Sequence, residues 1–188
     1  GLKDLQGGGP MIDIGVHVLK MCHYAMGSPE PVAAVGMTDT YLGDKPSNQV
    51  KSQWAGWDWE NYTVEDLAIG HIRLADGAVI HIESSFAAHH QHGGLMDYQL
   101  MGTKGGAIWG TSQVFTDEHG YMMDKTPAWL PPHNFGDYFP LKLRNFVDHV
   151  RHDEPTTAPA EHGLMIQQML DGIYQSADQG GKEVAINT

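Results

Sequence analysis

The sequence predicts an α+β fold: a two-layer sandwich in which a predominantly antiparallel open sheet carries helices on one face. Three observations predict it. The chain opens with an apolar segment of helical period, its middle is a run of short β-rich segments split by turn residues, and it closes with two more segments of helical period. Strands joined by short turns pair antiparallel, and nothing in the pattern alternates strand with long helix as a doubly wound sheet would.

The first helix spans Met11 to Met26. Pro10 suits its first position, Gly27 stops it, and Ile14, Val18, Cys22 and Ala25 recur on one face, with Asp13, His17, Lys20 and Tyr24 on another. Ser28 to Pro31 is a turn, and VAAVGMTDTYL after it reads as a strand. The polar stretch from Gly43 to Asp66, with three tryptophans, reads as a strand between two loops.

DLAIGHIRLA and AVIHIESSF flank Asp76-Gly77, a pair suited to a two-residue type I′ turn. That turn sets Ile72 opposite His81 and His71 opposite Ile82, so both faces of the ribbon carry isoleucine and both need cover. Helices of this chain cover one, and a second copy is expected on the other. Residues 96–125 hold two or three more short strands, with GTKGGAIWG as a hairpin turn and not a phosphate loop, because it lacks the GxxxxGK[ST] order. A Pro-rich loop leads to a helix with Leu143, Phe146, Val147 and Val150 on one stripe. A longer helix follows, with Met165, Met169 and Ile173 along one side and Gly180-Gly181 at its end, and EVAI is the last strand.

The 188 residues suit one domain over residues 1–188, able to bury roughly 70% of the unfolded chain's surface. A net charge of −12, from 23 acidic and 11 basic residues without a basic cluster, excludes nucleic acid as a partner and favours neutral ligands. No segment approaches the roughly 18 apolar residues that would span a membrane. The lone Cys22 forms no internal disulfide and fits a reducing, cytoplasmic setting. The chain begins at Gly1 like the edge of an excised piece, so an export signal in a longer parent stays open.

The residues that suggest chemistry come first in the chain. In GGGPMIDIGVHVL, Asp13 and His17 are four apart, which on an α-helix brings a carboxylate and an imidazole side by side, about 5–6 Å between Cβ atoms. Such a pair can hold two neighbouring hydroxyls and exchange a proton near neutral pH. Gly7, Gly8 and Gly9 permit close approach of backbone, and a helix start offers free N–H groups. Taken alone, the same residues fit a plain helix whose first-turn Asp complements the dipole, with a solvated His and a glycine linker.

His81 and Glu83 alternate on one strand, and His89, His90 and His92 follow. Three imidazoles can hold zinc, although the spacing matches no zinc motif and, among twelve histidines, a solvated loop accounts for the cluster.

In order, GGGPMIDIGVHVL, VEDLAIGHIRLADGAVIHIESSF, LMGTKGGAIW and LRNFVDHVRHDEPTTAPAEHGLMIQQMLDGIYQSADQGGKEVAI resemble segments of the C-terminal domain of Gfo/Idh/MocA oxidoreductases, such as glucose-fructose oxidoreductase and inositol dehydrogenase. The resemblance covers nearly the whole chain. It implies a parent enzyme with an N-terminal Rossmann domain that binds NAD or NADP, a sugar, inositol or related polyol as substrate, and pairing through the open sheet face. It implies that His17 takes the hydroxyl proton as hydride leaves the adjacent carbon and that Asp13 orients the sugar and the imidazole. Gly7, Gly8 and Gly9 then form the loop beside the substrate, with further substrate contacts in the loops Trp54 to Tyr62 and Ala87 to Gly94, His89 and His90 among them.

The chain departs from the family pattern in lacking GxGxxG and the Glu-Lys-Pro motif of the nucleotide domain. No cofactor is therefore expected on this chain by itself, and no turnover. Two other readings are a sheet scaffold for assembly and a histidine-rich metal module.

Overall fold

The computed structural model describes residues 1–46, 56–89, 96–132 and 135–186. They form two compact units, residues 1–96 with 164–188, and residues 97–163. The fold is α+β, as expected, with one four-stranded antiparallel sheet in each unit.

In the first unit a short helix α1 (Lys3–Gln6) precedes the glycines. A π turn (Met11–Gly15) then runs into α2 (Val16–Ala25). The expected single α-helix over Met11–Met26 is thus corrected at its start. The Ser84 hydroxyl donates to the Pro10 carbonyl at 2.8 Å, an outside bond of the kind that widens a helical turn. The widening moves the inward stripe: Met11, Gly15, Leu19, Cys22 and His23 are buried, whereas Ile14 and Val18 are half-buried and Ala25 is exposed. Asp13, His17 and Tyr24 do face outward.

The sheet of this unit has the order β3-β2-β1-β8, with β1 (Pro31–Asp39), β2 (Leu67–Leu74), β3 (Val79–Ser85) and β8 (Val184–Ala185). No strand occurs in the described part of residues 43–66, where one was expected; residues 47–55 lie outside the described ones.

The hairpin register also differs from the two-residue turn. Arg73 pairs with Val79, and the Leu74 N–H donates to the Ala78 carbonyl at 2.9 Å, so Ala75, Asp76 and Gly77 form a three-residue loop. Gly77, at φ +88°, supplies the left-handed residue that such a loop needs.

One extra loop residue changes which side chains share a face. His71 now faces His81, and Ile72 faces Ile80. Ile72, Ile80 and Ile82 all lie on the buried face, while His71, Arg73, Val79, His81 and Glu83 lie on the other. The expected pairing is therefore overturned, although the outward face still carries one isoleucine, the half-buried Ile69 opposite Glu83. The outward face is mixed, with Met37 and Val79 exposed among charged groups and Arg73 paired to Glu183 at 2.9 Å.

Helix α4 (Ala160–Asp178) lies against the buried face of this sheet. Two glycines admit it: a Cβ on Gly36 would overlap the Ile173 carbonyl, and one on Gly70 would meet Ile173 Cδ1 at 2.5 Å. Ile173, Met169 and Leu170 are buried there. The buried Ser176 hydroxyl accepts from the Gly36 N–H at 2.9 Å and donates to the Lys182 carbonyl at 2.6 Å, joining helix, strand and the Gly180-Gly181 turn.

In the second unit, β4 (Gln99–Gly102), β5 (Gly105–Ile108), β6 (Gln113–Glu118) and β7 (Tyr121–Lys125) form a meander, so four strands stand where two or three were expected. Thr103 and Lys104 turn the β4–β5 hairpin, as expected of GTKGG. Helix α3 (Tyr138–His152) follows. Among the described residues, no helix is long and apolar enough to cross a membrane.

Candidate functional site

The site is organised by two consecutive carboxylates that sequence reasoning missed. Glu65 and Asp66 are 8% and 2% exposed, just before β2. Glu65 accepts the Gly9 N–H at 2.8 Å, the Met11 N–H at 3.4 Å and the Tyr174 hydroxyl at 2.6 Å. Burial, and then the bond to Glu65, push the Tyr174 hydroxyl far above the ordinary phenol range, so it stays protonated and donates. Asp66 accepts N–H bonds from Tyr41 at 3.0 Å and from Leu42 and Gly43 at 2.5 Å. One carboxylate fixes the start of the Asp13 helix, and the next fixes the loop after β1.

Gly8 and Gly9 are buried in this arrangement and Gly7 is exposed. A Cβ on Gly9 would overlap the Glu65 carbonyl oxygen, and one on Gly8 would lie 2.5 Å from the Tyr174 hydroxyl oxygen. Gly7, at φ +87°, ends α1 in a left-handed conformation. The helix start is not the free donor set expected from the sequence, because the N–H groups of Gly9 and Met11 are already taken by a carboxylate.

A pocket of about 490 Å3 opens beside this start, lined by residues that include Gln6, Asp13, Trp57, Tyr62, Asp66 and Phe86. Trp57 is held by its indole N–H on the Gly43 carbonyl at 2.8 Å, and Tyr62 donates its hydroxyl to the Glu65 carbonyl at 3.1 Å. Burial, then Asp66 and Glu65, push the Tyr62 hydroxyl above its ordinary range. Aromatic walls with few polar groups are the usual composition of a small-molecule site. The exposed Asp13 carboxylate makes no hydrogen bond among the described residues, so it is free to accept from a ligand hydroxyl.

His17 lies on the following turn, exposed, without a hydrogen bond among the described residues and outside the lining of this pocket. Lys20 stands over the Tyr24 ring, its Nζ 5.7 Å from the centroid, and burial lowers its pKa. Among the described residues nothing packs Asp13 or His17 beneath the sheet. Both remain reachable from solvent.

The histidine cluster is elsewhere. His81 hydrogen-bonds Glu83 at 2.9 Å, and its ring lies 4.6 Å from that of His71 at a 40° tilt, on the outward sheet face away from α4. His89 is exposed, and His90 and His92 lie outside the described residues. Among the described residues no group of three or more His, Cys, Asp or Glu is placed to hold a metal ion.

The described residues do not form a dinucleotide cradle. Both sheets are antiparallel, with no parallel strand–turn–helix unit among the described residues, and the glycine-led helix start that would face a pyrophosphate is filled by Glu65.

The chain belongs to the Gfo/Idh/MocA oxidoreductase family: residues 2–186 match the model of the "Oxidoreductase family, C-terminal alpha/beta domain". It is 33% identical over 179 residues to the D-glucoside 3-dehydrogenase of Escherichia coli (strain K12), covering 95% of this chain and 49% of that protein. Its fold is similar to an oxidoreductase domain protein from Kribbella flavida (TM-score 0.78, 18% identity, 99% of this chain and 53% of that one). It is also similar to levoglucosan dehydrogenase in complex with NADH and levoglucosan (TM-score 0.74, 21% identity, 97% and 51%). The chain spans about half the length of each of these relatives.

Proposed function

We propose that this chain is the substrate-binding and oligomerising C-terminal domain, formed by both units together, of an NAD(P)-dependent oxidoreductase acting on a sugar, inositol or related polyol. The observation that carries the reading is the Asp13 carboxylate, unengaged, on an aromatic-walled pocket at the start of the helix that also bears His17. The 33% identity to a D-glucoside 3-dehydrogenase supports it.

In this reading the pocket holds the polyol, with ring C–H groups against Trp57 or Phe86 and a hydroxyl donating to Asp13. His17 accepts the proton of the hydroxyl being oxidised. The Gly7–Gly9 loop borders the substrate, and His89 and His90 sit in a loop that contributes further contacts. The nucleotide belongs to the half of the protein outside this chain, where it supplies the two-electron acceptor.

The 188-residue chain is expected to show no turnover on a panel of aldoses, glucosides and inositols with added NAD or NADP, whereas the parent with its nucleotide domain oxidises at least one of them. Turnover by the repurified chain alone removes the proposal that the two halves are both required.

Copies of the protein pair through the outward face of the first sheet, around Met37, Val79 and His81. Sedimentation of the wild type as a dimer and of Val79→Lys as a monomer is the expected result; a dimer untouched by that charge places the contact elsewhere.

A further inference from the structure

Glu65 is a carboxylate kept in the interior, where an ionised group is costly unless donors surround it. It makes no ion pair among the described residues. Its compensation comes from two backbone N–H groups at the helix start and one tyrosine hydroxyl, bonds to a charged acceptor that are stronger than neutral ones. These donors come from the glycine loop and from α4, 54–56 and 109 residues away in sequence. The helix itself has no side-chain cap of its own at Pro10, so Glu65 acts as its cap from a distant segment and places a negative charge at the positive end of the helix dipole.

The next residue does something different. Asp66 ties Tyr41, Leu42 and Gly43, and it lines the pocket itself, whereas Glu65 does not. The two carboxylates therefore hold separate parts of the site: the backbone that carries Asp13 and His17, and the wall against which a ligand rests.

We infer that Glu65, braced by Tyr174, is the positioning residue for Asp13 and His17, clamping residues 9–11 so that the acid and the imidazole stand in register with the pocket. This rests on the proposed roles of Asp13 and His17. Glu65 does not touch substrate. Its contribution is realised through the geometry of the proton acceptor, so it belongs in kcat more than in KM.

The experiment uses the full-length protein with its nucleotide domain. Glu65→Gln keeps the shape but turns an NH2 toward one of the three donors, and it is expected to lower kcat at least about tenfold with the sugar KM changed less than about threefold. Asp66→Asn is expected to show the opposite split, a KM raised about tenfold with kcat nearly kept. Tyr174→Phe, which leaves both backbone bonds to Glu65, lowers kcat about threefold and serves if Glu65→Gln does not fold.

In the full-length protein, hydrogen exchange should quicken at the Gly9 and Met11 amides of Glu65→Gln and stay unchanged at Ile173; a merely structural role quickens all of them together. A folded Glu65→Gln enzyme with unaltered kcat, or Tyr174→Phe with unaltered kcat where Glu65→Gln is unfolded, overturns the inference. His17→Ala with full activity instead removes the underlying reading of the site.

Discussion

In the full-length protein, His17→Ala is expected to lower turnover about a hundredfold to ten-thousandfold, the range for removing a positioned general base, with the affinity for NAD or NADP left close to that of the wild type. The argument is one of isolation. His17 is exposed, hydrogen-bonds nothing among the described residues, and packs no core, so its removal changes stability by about 0.5 kcal/mol or less. Any large effect on rate must then be chemical. The helix beneath it is fixed by Leu19 and His23, both fully buried, and at its start by Glu65, so an alanine leaves the backbone where it was. Asp13→Asn is expected to act differently: it keeps a hydrogen-bond acceptor on the pocket but loses the charge, so it weakens sugar binding as well as rate. Steady-state kinetics with a responsive sugar, beside thermal unfolding of each variant, check both. Unchanged kcat in His17→Ala moves the proton acceptor to another group.

The parts of this molecule that were legible in the sequence are those in which local pattern and tertiary demand agree. Helix α4 carried Met169 and Ile173 at helical spacing and was closed by Gly180-Gly181, and the structure buries both residues and sets both glycines at positive φ. The hairpin around Asp76-Gly77 was visible too, but its register was not, because a two-residue and a three-residue loop share the same Asp-Gly signal and differ only in whether Ala75 joins the loop. That single residue decided whether Ile72 shared a face with Ile80 and Ile82.

Asp13 and His17 drew notice because an acid and an imidazole interrupt an apolar helix, and their proposed roles come from the family resemblance. Glu65 and Asp66 could not, because two adjacent acids before a strand look like a solvated turn, and what buries them is supplied by residues such as Gly9 and Tyr174 that are distant in sequence. The glycines were read as room for a ligand, and the room at Gly8 and Gly9 is taken by this protein's own Tyr174 and Glu65.

That reassignment makes Gly9→Ala the most destructive small substitution in the chain's first segment. No positive φ protects Gly9, so alanine's backbone preference is not the obstacle; space is. The new Cβ would overlap the Glu65 carbonyl oxygen and press on the Glu65 carboxyl carbon at 2.8 Å, and the neighbour is backbone, which cannot rotate away. Relief requires moving the loop off the Glu65 backbone, which breaks the Gly9 N–H bond to Glu65 and leaves a buried carboxylate short of a donor. Overpacking and a lost charged hydrogen bond together cost at least about 3 kcal/mol.

The contrast is Gly163→Ala in α4, where nothing lies within 4 Å of the added Cβ and helix propensity alone gives about 0.5–1 kcal/mol of stabilisation. Urea unfolding of the two variants should therefore shift in opposite directions for the same added methyl group. A Gly9→Ala midpoint equal to wild type would mean that the loop yields at little cost, and that Glu65 does not hold it as tightly as its three donors indicate.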